Sequence, residues 1–259
     1  MLKTINVGFF HSVIFALLSP LAMASGNCEQ GLTSLNSLPQ GDRLAALDTL
    51  EAACNGNGYF AYEKALALAA QGETDAAVAL LQPLLKDGSV KPRYPGVLLY
   101  TQLILSQGDS QRALQIGREL LAQRPDDKGA LNVLARASLL VGDYPAAKSY
   151  SVRGLLKQAD LSLYPVLILA LYKMDDFNGV TRAYAGAMTD SVTELTLFKD
   201  PVVATSVSYS FYTQGDIYQA SRILNEQIER TPELKNKDEI NTYLARLREL
   251  STAYGKKGG

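Results

Sequence analysis

With 259 residues, 47% of them hydrophobic and 20% charged, the chain has material for a folded core of one or two domains. Such a composition excludes a wholly disordered polymer. A formal net charge of −1, without any run of five Lys or Arg, argues against nucleic acid as a partner and against a polybasic membrane surface.

The first element in the chain is a targeting segment. Lys3 opens a positive region, Val7 to Leu18 is nearly all apolar, and Ala22-Met23-Ala24 supplies small residues at cleavage-site spacing. Residues 1–24 therefore read as a cleaved secretory signal, with a retained signal anchor as the rival, although the apolar run is short for a membrane span. Cleavage would remove His11, the sole histidine. A mature protein without histidine has no His base, no His-based triad and no His metal ligand. No catalytic residue, metal site or cofactor is expected.

Next come Cys28 and Cys54. CEQGLTSLNSL and GDRLAALDTLEAAC read as two short helices joined at Pro39-Gln40-Gly41, so an antiparallel hairpin brings the cysteines to one level. In an exported chain an even pair forms a disulfide, the alternative being two inert buried thiols. Asn27 directly before Cys28 makes a poor lipidation signal.

Beyond this hairpin the chain repeats. GDSQRA at Gly108 is echoed by GDYPAA at Gly142, and the same Gly-x-x-x-x-Ala spacing occurs from Gly41, Gly72 and Gly215, with a weaker echo at Asp175. Each Gly-Asp or Gly-Glu pair ends one helix and begins the next with an acidic group suited to a helix N-terminus. The alanine five residues on, and a small residue seven before each glycine (Ser34, Ala65, Thr101, Ala135, Ser208), let paired helices approach closely. Pro125 and Pro232 each end the helix begun at their glycine. Asp126-Asp127 and Asp175-Asp176 are adjacent carboxylates at helix boundaries, and capping is the reading for both.

The irregular stretch is 189–200, where Ser191 and Glu194 have capping-box spacing and an extra turn or protruding loop is expected. Residues 236–254 carry Ile240, Tyr243, Leu244, Leu247, Leu250 and Tyr254 on one face, a helix suited to cap a stack of repeats. Residues 255–259 form a flexible tail.

Ala113, Ala147 and Ala220, with Pro125, Pro232, Ala65, Ala135 and Tyr144 at their offsets, make residues 28–234 resemble the tetratricopeptide repeat family, an exported or periplasmic type. The resemblance implies an all-α fold: a right-handed superhelical solenoid of about six helix-turn-helix units plus the C-terminal cap, over residues 25–254. It also implies a concave partner-binding groove lined by Tyr59, Tyr62, Leu98, Gln102, Asn132, Arg136, Tyr172, Tyr209 and Tyr212, together with Leu66, Leu105, Leu139, Leu169 and Thr205. Packing between hairpins is the competing role for the tyrosines. By analogy with exported members, the chain is a non-enzymatic scaffold, periplasmic or secreted. It would hold a protein or peptide segment of a secretion, pilus, polysaccharide-export or cell-wall machine, and meet membrane only through that partner. A self-assembling structural subunit and an α-superhelical wall-acting enzyme are the alternatives.

Overall fold

The computed structural model describes residues 28–86, 93–158 and 160–255. The expected export segment, residues 1–24, lies outside the described residues, as do residues 256–259 of the expected tail. The described residues are α-helical with short 3-10 turns and no strand, the all-α class that the repeats imply. Two compact units divide the chain, Met1–Gly96 and Val97–Gly259.

In the first unit α1 (Cys28–Ser34) and α2 (Arg43–Leu50) are followed by α3 (Gly58–Ala70), α4 (Thr74–Leu81) and the short α5 (Pro83–Lys86). Leu32, Leu35, Leu47, Leu50, Cys54 and Phe60 form its core. Gly31 lets α1 approach α2 closely, because a Cβ there would collide with Leu50 Cδ2. Cys28 and Cys54 are joined as a disulfide, with Cα atoms 5.0 Å apart. Asn57 caps α3, its side chain accepting from the N–H groups of Tyr59 and Phe60.

This first hairpin departs from the repeat in two ways. Ser34 is exposed rather than at a helix crossing, and its hydroxyl donates to the Gly31 carbonyl at 2.7 Å. Gly41 lies in a 3-10 turn, Gln40–Asp42, and is not among the glycines with positive φ. The cause is local: Pro39 holds extended backbone before the turn, so the glycine has no left-handed job. Buried Ala46 alone keeps its repeat role.

The second unit takes up the repeats in full. Its helices are α6 (Tyr94–Ser106, whose first three residues belong to the first unit), α7 (Ser110–Gln123), α8 (Lys128–Leu140), α9 (Tyr144–Gln158), α10 (Tyr164–Lys173) and α11 (Phe177–Thr189). A four-residue α12 (Glu194–Leu197) precedes α13 (Pro201–Thr213), α14 (Ile217–Arg230) and the cap, α15 (Asp238–Gly255). Consecutive helices pack as hairpins: α8 lies against α7 and α9, α10 against α9 and α11, and α13 against α11 and α14.

Gly108 and Gly142 turn the chain with φ of 93° and 83°. Asp109, Asp127, Asp143, Asp176 and Asp216 each accept from a backbone N–H three residues on, which satisfies an otherwise orphan donor of the following helix. Asp127 and Asp176 thus take the capping role read for the acidic pairs. Ala113, Ala147 and Ala220 are fully buried at their helix crossings, opposite buried Thr101, Ala135 and Ser208. The unit that lacks the Gly-Ala pair keeps the geometry by other means. Asp175 stands where glycine would and still adopts φ 55°, and Val180 and Ile168, both fully buried, occupy the two crossing positions. Asp tolerates the left-handed region better than most residues, so the turn survives the loss of glycine.

At the C-terminal end Leu244 and Leu247 of α15 are buried against Ala220, Leu224 and Ile228 of α14, with Ile240 and Tyr243 packed beside them. The Tyr243 hydroxyl lies 3.0 Å from Ser208 Oγ, which in turn donates to the Ala220 carbonyl at 2.7 Å. The expected cap is therefore bonded as well as packed.

Candidate functional site

The 190–200 segment is the feature that a regular stack would lack. Its start is fixed by Tyr164 of α10, whose hydroxyl donates to Asp190 Oδ2 at 2.6 Å. Ser191 turns with φ 63°, Thr193 caps α12 by accepting from Thr196 N–H, and Leu197 and Phe198 are buried. The capping box read at Ser191 and Glu194 is corrected by this geometry: Thr193 is the cap, because Ser191 is spent on a left-handed turn that ends α11. Glu194 is drawn elsewhere. It receives Arg222 of α14 in a two-pronged pair, Nη2 to Oε1 at 2.8 Å and Nη1 to Oε2 at 3.1 Å, and also the Tyr184 hydroxyl of α11. Arg222 further meets Glu226 at 3.0 Å, and Tyr184 stacks on Phe198. Three helices thereby hold the segment in place.

Charge and burial tune these groups in opposite directions. The Arg222 hydrogen bonds hold the Glu194 carboxyl below its ordinary value, while burial and then the Glu194 bond push the Tyr184 hydroxyl up to about 12. Tyr184 is a neutral donor and Glu194 an anion near neutrality. A carboxylate whose folded pKa is depressed stabilises the protein above its unfolded value and loses that contribution as pH falls through the folded value. We expect Glu194→Gln to lower stability by about 1–2 kcal/mol at neutral pH and to flatten the acid limb, since the pair is only partly buried. Denaturant midpoints of both proteins near neutrality and in acid check this; parallel curves would contradict it.

The segment forms one wall of a cavity of about 1040 Å³ within the second unit. The regular concave positions supply the other walls: Gln102 and Leu105 from α6, Asn132, Val133, Arg136, Leu139 and Leu140 from α8, and Pro165, Val166 and Leu169 from α10. Ser106 at the end of α6, Leu161 and Ser162 before α10, Ser191, Val192, Thr193, Thr196, Leu197, Lys199 and Asp200 of the inserted segment, and Val203 of α13 complete the lining. Most of this surface is aliphatic. Leu140 and Leu161 are exposed despite their size, at 63% and 36%.

Within the second unit the residues expected in the groove have three different surroundings. Gln102, Asn132 and Arg136 line the cavity. Asn132 is not free to receive a ligand through its N–H groups, since Nδ2 donates to Asp160 Oδ2 at 3.0 Å and Ser162 Oγ at 2.9 Å. Leu98 is half-buried against Gly129, where a Cβ would lie 2.6 Å from its Cδ2, and it is absent from the lining. Tyr172, Tyr209 and Tyr212 build a ring cluster with Phe177 and the cap residue Tyr243, with centroids 5.6 to 6.0 Å apart. The competing role read for tyrosines, packing between elements, describes this cluster; Tyr209 keeps 37% of its surface exposed. Tyr59 and Tyr62 belong to the first unit, their rings 6.0 Å apart, and Tyr59 borders a smaller hollow with Glu29, Leu32, Thr33, Asn36 and Asn57.

Residue reasoning missed Leu140, Leu161, Pro165, Val192 and Lys199. For Val192 and Lys199 the signal was the insertion between α11 and α13, which said that something extra was present without saying which face it covered; Leu140, Leu161 and Pro165 lie outside it and had no such signal. Among the described residues no group of three or more His, Cys, Asp or Glu is placed to hold a metal, and no helix is long and apolar enough to cross a membrane.

No protein-family model matches the chain, and no curated protein matches it in sequence. Solved structures do match in fold. The pilF protein of Pseudomonas aeruginosa is similar over 88% of this chain and 99% of its own, at 14% identity and a TM-score of 0.68. A chain of the APC/C hetero-tetramer Cut9–Hcn1 is similar over 85% of this chain at 15% identity and a TM-score of 0.65, and this chain spans 42% of that one's length. MamA from Desulfovibrio magneticus RS-1 is similar over 68% of this chain and 97% of its own, at 14% identity and a TM-score of 0.56. The fold is that of stacked tetratricopeptide-type helix hairpins.

Proposed function

We propose that the chain is a non-enzymatic protein-binding scaffold of the cell envelope, and that its working surface is the aliphatic cavity of the second unit. The observation that carries this reading is the cavity: three successive repeat helices and an inserted wall converge on about 1040 Å³ of largely apolar space. Concave, mostly apolar space with polar groups at its edge is the form that binding sites take. The likeness to a subunit of the Cut9–Hcn1 hetero-tetramer, a protein assembly, agrees with a scaffolding role. The envelope assignment rests on residues 1–24 and on the Cys28–Cys54 bridge, which suits an oxidising compartment. On this reading the partner belongs to an export, pilus or wall-assembly machine.

Photo-crosslinkers at Gln102, Arg136 and Leu169 in native cells are expected to capture a partner protein, while Gln111 and Arg118 of α7 capture none. The reverse pattern would move the working surface to α7. Mass determination of the mature N-terminus from fractionated cells tests export in the same material, and an intact residue 1 in the cytosolic fraction would remove the envelope assignment.

A further inference from the structure

The cavity has few free hydrogen-bonding groups. Both amide protons of Asn132 are committed to Asp160 and Ser162, and the Ser162 hydroxyl donates to Asp160 Oδ1 at 2.7 Å. Ser106 donates to the Leu103 carbonyl, Thr193 accepts from Thr196, and Asp200 accepts from Val202 N–H as the cap of α13. Gln102, Ser191, Arg136 and Lys199 are left to meet an occupant, and neither cation pairs with a carboxylate among the described residues.

An extended segment brings an N–H and a C=O per residue every 3.3 Å or so, and each one left unpaired on burial weakens binding. A helix bonds its backbone internally and presents only side chains. The walls are therefore matched to a helix and poorly matched to a strand. Charge adds a second constraint. The two cations Arg136 and Lys199 outnumber Asp200, the one carboxylate on the lining, and so favour an acidic neighbour. A helix about 10 Å across rising 1.5 Å per residue would place about nine residues, two to three turns, in this volume.

We propose that the cavity receives one amphipathic helix of a partner protein, with its apolar face on Leu140, Leu161 and Leu169 and acidic residues along the edge that meets Arg136 and Lys199. This rests on the scaffold reading above and names the occupant of the same site. Aliphatic residues at three- and four-residue spacing are the expected signature of that occupant.

The test places benzophenone crosslinkers at Leu140 and Leu161 of the full chain in native cells, and maps the adducts by mass spectrometry. Attachment sites three or four residues apart on another protein are expected. Adducts at every second residue, adducts of lipid mass, or adducts to this chain itself would overturn the helix while leaving the cavity a binding site. Absence of any adduct, with capture from Arg118, would overturn the scaffold reading and the helix with it. Charge is tested separately by Arg136→Glu with Lys199→Glu, expected to lower capture about tenfold, as loss of a complementary charge pair does. Glu→Lys changes along the mapped edge of the captured helix should restore it. Unchanged capture by the double variant would remove the acidic edge.

Discussion

Cys28→Ala will loosen the first hairpin by roughly 3–4 kcal/mol, the chain-entropy value for the loop closed across a separation of 26 residues. Cys28 is the better site to change. It is half-buried, whereas Cys54 is buried among Leu32, Leu47, Leu50 and Phe60, so substitution there would add a packing defect to the lost bridge. A thiol left at Cys54 packs as a small apolar group. The hairpin has little else to rely on: α1 is seven residues long, shorter than an isolated helix can sustain. Hydrogen exchange of α1 and α2 amides should speed by two to three orders of magnitude, about what that free energy implies, while α8 amides remain protected, because stacked repeats depend mainly on their neighbours. A change below about 0.5 kcal/mol in α1 and α2 would mean that the bridge adds nothing, as some disulfides do. Two free thiols in protein isolated from its native compartment would show that it does not form.

The central repeats were legible in the sequence because their physics is local. A glycine at a left-handed turn, an aspartate three residues before the N–H it caps, and an alanine where two helices cross are each fixed by a short-range need, and Gly108, Asp109 and Ala113 meet all three. The first hairpin was less legible because Pro39 changes the backbone ahead of Gly41, so an identical Gly-Asp pair is put to a different use. Asp175 shows the converse. The residue type departs from the pattern, yet the turn persists, since the flanking α10 and α11 packing through Ile168 and Val180 imposes it.

The site was legible in part for a related reason. Positions on the first helix of each repeat can be assigned from repeat spacing alone, which found Gln102, Asn132 and Arg136. Spacing cannot say what lies opposite. Tyr172, Tyr209 and Tyr212 have the spacing of groove residues, but the cap brings Tyr243 against them, and a long-range contact from another helix decides their surroundings. Likewise the 190–200 wall is held by Arg222, some 28 residues from Glu194, a partnership that no local pattern announces.

Leu134→Ala will cost about 3 kcal/mol, within the 2–5 kcal/mol usual for a fully buried leucine. Leu134 lies at the meeting of α7 and α8, where a Cβ added at Gly117 would stand 3.0 Å from its Cδ2 and 3.1 Å from its Cγ. Leu156→Ala, at a leucine 80% exposed, should change stability by less than about 0.5 kcal/mol, and a denaturant titration of both variants separates burial from hydrophobicity as the cause. The same contact makes a sharper claim. Gly117→Ala alone crowds Leu134 and should give little or no benefit, but in the Leu134→Ala background the methyl enters vacated space and replaces a poor helix former with the best one, a gain of about 1 kcal/mol. The two changes should therefore couple favourably by at least about 0.5 kcal/mol in a double-mutant cycle. Strict additivity would show that α7 and α8 shift apart as rigid bodies instead of interlocking at this pair. Because Val133 and Arg136 flank Leu134 on α8 and line the cavity, such a shift would also change the cavity's width, so that partner capture from Arg136 would fall with stability rather than independently of it.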